Sequence, residues 1–181
     1  MQQAYEALDL DELILMPCRR SPHKAINPGA SDDQRLAMLM LATEHLPWVQ
    51  VSDYELKQPP PSYTWETLKV FSQQFPEETR WFVLIGLDQW LSLDRWKHPE
   101  RIGALAEFIV VGRDGDPVTR PRYRSHLLSA DHPASSSAIR RALSRSMTPQ
   151  IPLNEWLPPS VLTFIDDHQL YRTPPSFTEA T

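Results

Sequence analysis

Three consecutive serines, Ser135 to Ser137, precede a stretch of helical character that carries Arg140 one turn further along. Backbone N–H groups without partners lie at the start of a helix, where the helix dipole favours an anion. The hydroxyls can add donors there, and a guanidinium can form paired hydrogen bonds to phosphate oxygens. The segment therefore predicts a phosphate-binding site. The alternative is an ordinary serine N-cap followed by an amphipathic helix.

Five segments of the chain have the apolar character of strands, and helical segments separate them. The predicted strands are Leu13–Met16, Trp48–Ser52, Trp81–Ile85, Phe108–Val111 and His126–Leu128. Helices are predicted over Gln2–Leu8 and onwards from Ser31, Thr64, Asp88, Pro99, Ser135 and Pro158. Alternating strands and helices are typical of an α/β fold in which helices cover both faces of a parallel sheet. We therefore expect this fold class.

Two helix starts carry specific capping signals. Gln34 follows Ser31 by three residues, which is the spacing of a capping box. Thr64 is predicted to cap the helix that buries Leu68, and Glu66 is favourably placed in the first turn of that helix.

The loops that follow the strands are the candidate site, because ligands of open parallel sheets bind beyond the carboxyl ends of the strands. These loops comprise residues 17–24, 86–88, 112–113 and 130–137, and each contains polar or charged groups. The chain has only five glycines and the first is Gly29, so no glycine-rich turn follows the first predicted strand.

The composition is typical of a soluble globular protein. The chain has 181 residues, of which 41% are hydrophobic and 23% charged, and its net charge of −5 argues against a broad nucleic-acid-binding surface. The single cysteine, Cys18, excludes an intrachain disulfide and suits a reducing compartment. We expect a cytoplasmic protein without signal peptide, membrane span or nucleic-acid partner. One domain is expected over residues 1–172, followed by a loose tail over 173–181.

An ordered set of motifs runs through nearly the whole chain except the tail. It comprises Leu10-Asp11-Glu12, Met16-Pro17, Ser21-Pro22-His23-Lys24, Arg35, Pro61-Ser62-Tyr63-Thr64, Thr67-Leu68, Ile85-Gly86-Leu87-Asp88, Trp96, Ser135–Arg140 and Leu170-Tyr171. In this order the motifs resemble those of bacterial nicotinate-nucleotide adenylyltransferases, a family of the HxGH nucleotidyltransferases with a Rossmann-like fold. Each motif alone is weak, whereas six of them in the right order are a strong signal.

The resemblance departs from the family pattern at the beginning of the chain. The family opens with a strand, a Gly-x-Phe-Asp-Pro turn and a His-x-Gly-His motif, and nothing here corresponds to them. Two hypotheses compete: the assigned start is internal to a longer protein, or the protein is a degenerate relative. We favour the first, and we expect the chain as given to lack the first strand of the sheet. No catalytic residue is identified.

The resemblance implies two sets of binding residues. For ATP they are His23, Lys24, Asp88, Ser135, Ser136, Ser137 and Arg140; for the mononucleotide they are Tyr63, Thr64, Trp96 and Arg113. Each assignment has an alternative from the residues themselves. His23 and Lys24 could lie in a solvated loop, Asp88 could be a helix N-cap, and Trp96 could belong to the core. The assignment of Arg113 is weakened because the family's Arg-Pro-Gly motif reads Arg113-Asp114-Gly115 in this chain. Arg35 is expected to brace the fold.

The reaction implied is attack by the 5′-phosphate of nicotinate mononucleotide on the α-phosphate of ATP, which gives deamido-NAD and pyrophosphate. The implied cofactor is Mg²⁺, carried with ATP, and no metal site on the protein is expected. Two alternatives stay open: a nucleotide-binding protein that has lost catalysis, and an adenylyltransferase for nicotinamide mononucleotide. The acid is preferred over the amide because a carboxylate gains from N–H donors at a helix start, whereas a carboxamide brings an unmatched donor.

Overall fold

A computed structural model describes residues 1–19, 29–112, 119–129, 134–144 and 152–172. The chain divides into two compact units. The first consists of Met1–Ala25 and Ser52–Pro133, and the second of Ile26–Val51 and Ala134–Thr181. The expected single domain with a loose tail stays a prediction.

All five predicted strands are present, with bounds that differ by at most two residues from the prediction. The first unit contains α1 (Gln2–Ala7), β1 (Leu13–Leu15), α3 (Tyr54–Lys57), α4 (Thr64–Ser72), β3 (Trp81–Gly86), α5 (Leu87–Leu91), a 3-10 turn (Leu93–Arg95), α6 (Pro99–Leu105), β4 (Ala106–Gly112) and β5 (Ser125–Ser129). The second unit contains α2 (Asp32–Thr43), β2 (Val49–Val51), α7 (Ser136–Ser144), α8 (Leu153–Trp156) and α9 (Pro159–Asp167).

The strands β3, β4 and β5 form a parallel sheet with β4 in the centre, which confirms the α/β prediction. The register pairs Gly86 with Val111 and Gly112 with Ser129, so the three carboxyl ends meet at one edge. β4 begins at Ala106, two residues earlier than predicted. The reason is that α6 runs directly into the strand, since Ala106 already has extended backbone with φ −137° and ψ 160°.

One face of this sheet packs against helices of the first unit. Phe108 of β4, Trp90 of α5 and Ile102 of α6 are completely buried in the same core. The ring centroids of Trp90 and Phe108 are 5.3 Å apart, and those of Phe108 and Tyr123 are 5.6 Å apart. Full burial of a large apolar side chain stabilises a fold by about 1.5 to 3 kcal/mol. This core therefore fixes α5, the helix that begins where β3 ends.

Glu107 of β4, which lies between the buried residues Ala106 and Phe108, is the centre of a charged cluster. Its Oε2 is hydrogen bonded to Nε2 of His126 at 2.8 Å, and the guanidinium groups of Arg80 and Arg124 each lie 3.3 Å from Oε1. The hydrogen bond from His126 holds the pKa of Glu107 below its ordinary value, with support from Arg80 and Arg124 and against the opposing effect of desolvation. The ionised carboxylate is therefore favoured by folding.

The second unit begins α2 with the predicted capping box. The N–H of Gln34 donates to Oγ of Ser31 at 3.2 Å, and the N–H of Ser31 donates to Oε1 of Gln34 at 2.8 Å. α2 packs against α9, and its core contains Ala30, Val161, Ile165 and Leu170. Val161 and Ile165 of α9 are buried, and Leu162 is partly buried. Within the described ranges, none of the helices has the length and apolar character needed to cross a membrane.

Candidate functional site

Asp88 follows the carboxyl end of β3, as predicted. It is the second residue of α5 and is exposed. The N-cap of α5 is Gly86, so the alternative N-cap role of Asp88 is wrong. Nε2 of Gln89 donates to Oδ2 of Asp88 at 3.1 Å, and a Cβ on Gly86 would lie 2.8 Å from Oδ1. The carboxylate thus folds back over the end of the strand, where it can accept hydrogen bonds from hydroxyls of a ligand.

The start of α4 differs from the prediction by one residue. The N-cap is Tyr63 and the first helical residue is Thr64, so the prediction that Thr64 caps the helix is wrong. The physical reason is that the carbonyl of Tyr63 accepts the first helical bonds, from the N–H groups of Glu66 at 2.9 Å and Thr67 at 3.2 Å. The earliest N–H groups of a helix have no carbonyl partner inside it. This first turn can therefore offer donors to an anion.

Trp96 ends the 3-10 turn Leu93–Arg95 and packs, half-buried, against the core that contains Trp90. Its indole Nε1 is buried and has no hydrogen-bond partner among the described residues. The alternative that Trp96 belongs to the core therefore holds for part of its ring. The remaining exposed part is compatible with stacking, which stays a prediction.

Lys97, the next residue, connects the Trp96 segment to the start of α4. Its Nζ lies 2.6 Å from Oε1 of Glu66 and 4.1 Å from the centroid of the Tyr63 ring. The structure therefore brings the predicted residues Tyr63 and Thr64 close to the segment that carries Trp96. Sequence reasoning missed Lys97, because 31 residues separate it from Glu66 and no local pattern joins them.

The loop that follows β1 is attached to the turn in front of α4. The N–H of Arg19 donates to Oγ of Ser62 at 3.1 Å, and its Nη1 donates to the carbonyl of Gln58 at 3.2 Å. A cavity of about 170 Å³ lies beside this turn, and Tyr63, Glu66, Ser62 and Gln58 are among the residues that line it. Neither Trp96 nor Asp88 lines this cavity.

In the second unit, the serine segment begins α7 as predicted. Oγ of Ser135 accepts a hydrogen bond from the N–H of Ala138 at 3.1 Å, so the capping alternative is confirmed for this hydroxyl. Ser136 and Ser137 are exposed in the first turn of α7. Their hydroxyls and the first N–H groups of the helix are the groups that remain suited to an anion.

Arg140 of α7 and Arg35 of α2 both act electrostatically on the phenol of Tyr171. Burial raises the pKa of Tyr171, while the positive charges of Arg140 and Arg35 act in the opposite direction. Arg35 also forms an ion pair with Oδ1 of Asp32 at 2.6 Å. This ion pair joins two residues of the same helix, so the expected bracing role of Arg35 stays a prediction.

Comparisons with known proteins point to the same family as the ordered sequence motifs. The cytidylyltransferase-like family matches residues 1–142. A probable nicotinate-nucleotide adenylyltransferase of Methylacidiphilum infernorum is 34% identical over 168 residues, which cover 92% of this chain and 80% of that protein. One of Thermus thermophilus is 34% identical over 171 residues, covering 94% of this chain and 88% of that protein. The chain belongs to the nicotinate-nucleotide adenylyltransferase family.

The solved structure of a nicotinic acid mononucleotide adenylyltransferase shows the same fold. The Plasmodium falciparum protein complexed with NaAD aligns with a TM-score of 0.71 at 16% identity, covering 94% of this chain and 89% of that chain. The same protein complexed with APC aligns with a TM-score of 0.67. The nucleotidyltransferase fold predicted for this member of the family is therefore confirmed.

Three of the predicted binding residues, His23, Lys24 and Arg113, lie outside the described residues. The predicted roles of the others in this nicotinate-nucleotide adenylyltransferase family member stay predictions, as does the hypothesis about the start of the chain. In the part of the chain that the structure describes, no three His, Cys, Asp or Glu side chains are grouped to hold a metal ion.

Proposed function

We propose that the protein transfers the adenylyl group of ATP to nicotinate mononucleotide. A phosphate oxygen of the mononucleotide forms a bond to the α-phosphorus, the bond from that phosphorus to the bridging oxygen breaks, and pyrophosphate leaves with the electron pair. The observation that carries the proposal is the 34% identity, over 92% of the chain, to a relative named for this activity.

The ATP side is assigned to groups that accept from sugar hydroxyls or donate to phosphate. Asp88 would accept hydrogen bonds from the ribose of ATP, which its exposed carboxylate beyond β3 supports. The segment Ser135–Ser137, Arg140, His23 and Lys24 would bind the phosphates. Ser135 contributes mainly by capping α7, so the hydroxyls of Ser136 and Ser137 are the better donors.

The mononucleotide side is assigned to the start of α4, Trp96 and Arg113. The first turn after Tyr63 would receive the nicotinate carboxylate on N–H donors, including that of Thr64. The exposed part of Trp96 would stack on the pyridinium ring, which is electron-poor and suits an aromatic face. Arg113 would contact the phosphate.

Catalysis of this kind depends on alignment of two anions and on neutralisation of charge that develops during transfer. The divalent ion enters as part of the substrate, bound to the phosphate oxygens of ATP, and Mg²⁺ is the ion we propose. The residues assigned to phosphate are donors and cations rather than metal-ligating carboxylates, which supports a metal carried by the nucleotide. A reducing, cytoplasmic location is proposed from the single Cys18.

Calorimetry with each mononucleotide, alongside an assay for pyrophosphate release in the presence of ATP and Mg²⁺, tests the proposal. We expect binding of nicotinate mononucleotide and release of pyrophosphate that depends on it. Binding without release would favour the nucleotide-binding alternative. Faster release with nicotinamide mononucleotide would favour the amide-specific alternative.

A further inference from the structure

Lys97 is a cation held beside the first turn of α4. Its Nζ is 2.6 Å from Oε1 of Glu66 and 4.1 Å from the centroid of the Tyr63 ring. Tyr63 is the N-cap of α4 and Glu66 lies in the first turn of that helix, so both contacts lie at the same helix start. Lys97 also directly follows Trp96 in the chain. A long lysine side chain is thereby fixed between the two features assigned to nicotinate.

We propose that Lys97 is a specificity-determining residue that favours the acid form of the mononucleotide over the amide, with Glu66 as the opposing charge. The inference rests on the proposed function, which assigns the nicotinate carboxylate to the start of α4. The positive charge of Lys97 attracts that carboxylate, and the negative charge of Glu66 repels it.

The comparison of acid with amide isolates this effect. Both mononucleotides carry the same pyridinium ring, ribose and phosphate, and they differ by one negative charge on the ring substituent. Repulsion between Lys97 and the cationic ring is therefore common to both ligands and cancels in the ratio of their affinities. What remains in the ratio is the attraction between Lys97 and the carboxylate and the repulsion between Glu66 and the carboxylate.

The ion pair itself contributes little that would obscure this effect. The side chains of Lys97 and Glu66 are 40% and 55% exposed, and ion pairs at such positions stabilise a fold only weakly. The other carboxylate near this turn, Glu55, already accepts a hydrogen bond from the Thr67 hydroxyl at 2.7 Å. Glu66 is thus the carboxylate that directly faces Lys97.

Arg101, which lies over the ring of Trp65, provides a matched control. The guanidinium of Arg101 lies 5.3 Å from the centroid of the Trp65 ring, which is another cation–aromatic contact between α6 and α4. Replacing Arg101 removes one positive charge from α6, close to α4, and the ring that this charge contacts is Trp65 and not Tyr63. The variant Arg101→Met therefore reports the effect of net charge and of helix contact alone.

The experiment measures the dissociation constants of nicotinate and nicotinamide mononucleotide by calorimetry, with kcat/KM for each, in the full chain and four variants. The ratio of acid to amide affinity is expected to fall about fivefold in Lys97→Met and to rise about two- to fivefold in Glu66→Gln. Lys97→Arg, which keeps the charge, should retain most of the preference. Arg101→Met should leave the ratio within about twofold of the parent chain.

The decisive result is that the ratio of acid to amide affinity changes in opposite directions in Lys97→Met and Glu66→Gln, although both substitutions break the same ion pair. A purely structural pair would shift both variants in one direction, and that result would overturn the inference, as would an unchanged ratio in Lys97→Met. If Lys97→Met fails to fold, the ratio must still rise in Glu66→Gln. A parent chain that binds neither mononucleotide would refute the proposed function, and this outcome is visible without any variant.

Discussion

Replacement of Gly86 by alanine is expected to weaken ATP binding with little effect on stability. The new Cβ would lie 2.8 Å from Oδ1 of Asp88, whereas ordinary contact begins at 3.4 Å, so the carboxylate must withdraw by about 0.6 Å. A hydrogen bond from a ribose hydroxyl would be stretched by a comparable amount. Loss of a hydrogen bond to a charged group costs about 1.5 to 3 kcal/mol, which corresponds to a roughly ten- to hundredfold weaker affinity.

The cost in stability is expected to be small because the displaced group is the exposed end of a side chain. Gly86 has φ −77° and ψ 162°, which alanine adopts without strain. We therefore expect the free energy of unfolding of Gly86→Ala to stay within about 0.5 kcal/mol of the parent value. Calorimetric titration with MgATP and thermal melting measure the two quantities separately.

Gly103→Ala is the matched control, since its clash is with the core and not with the site. A Cβ there would lie 2.6 Å from Cδ1 of Tyr123, a residue that is 7% exposed. Overpacking costs about 1 to 3 kcal/mol, and alanine in a helix recovers about 0.5 to 1 kcal/mol. We expect a Tm lower by a few degrees with unchanged ATP affinity. The reasoning is refuted if Gly86→Ala binds ATP as tightly as the parent chain, or if it loses affinity only in proportion to stability.

Three further predictions, one of them with a control variant, have distinct expected outcomes. Trp96→Ala should raise the KM for nicotinate mononucleotide roughly tenfold or more, because stacking contributes about 1 to 3 kcal/mol, and steady-state kinetics should show a much smaller change in the KM for ATP. Arg140→Ala should do the reverse, whereas Arg141→Ala should change neither KM; equal effects of the two would contradict a phosphate role for Arg140. Glu107→Gln should lower the Tm near neutral pH, and the deficit should shrink as the pH falls below about 4, because the folded pKa of Glu107 lies below its unfolded value and its stabilisation is lost as the pH falls through the folded pKa. Melting curves across this range that show a constant or growing deficit would contradict the role of the His126 hydrogen bond.

Most of the fold is encoded in local signals that the sequence displays. Short apolar runs such as Trp81–Ile85 identify strands because buried parallel strands are apolar on both faces. The capping box of Ser31 and Gln34 and the proline that opens α6, Pro99, act within a few residues and were predicted correctly. The position of Asp88 was also predictable, because it lies two residues after the end of β3.

Features that depend on tertiary contacts were not predictable in the same way. Tyr63 rather than Thr64 caps α4, which is decided by the backbone conformation at the end of a proline-rich turn and not by side-chain preference. The contact of Lys97 with Glu66 joins residues that only the packing of α6 on α4 brings together. The division of the Trp96 ring between core packing and exposure likewise depends on neighbours far away in the chain.

The proposed activity is transfer of the adenylyl group of ATP, with its α-phosphate, onto nicotinate mononucleotide. The most direct test incubates the purified chain with Mg²⁺, nicotinate mononucleotide and ATP labelled at the α-phosphorus, and identifies the labelled products by chromatography and mass spectrometry. We predict that the label appears in deamido-NAD while unlabelled pyrophosphate is released in equal amount. Label that stays in ATP, or that appears only as AMP, would contradict the claim.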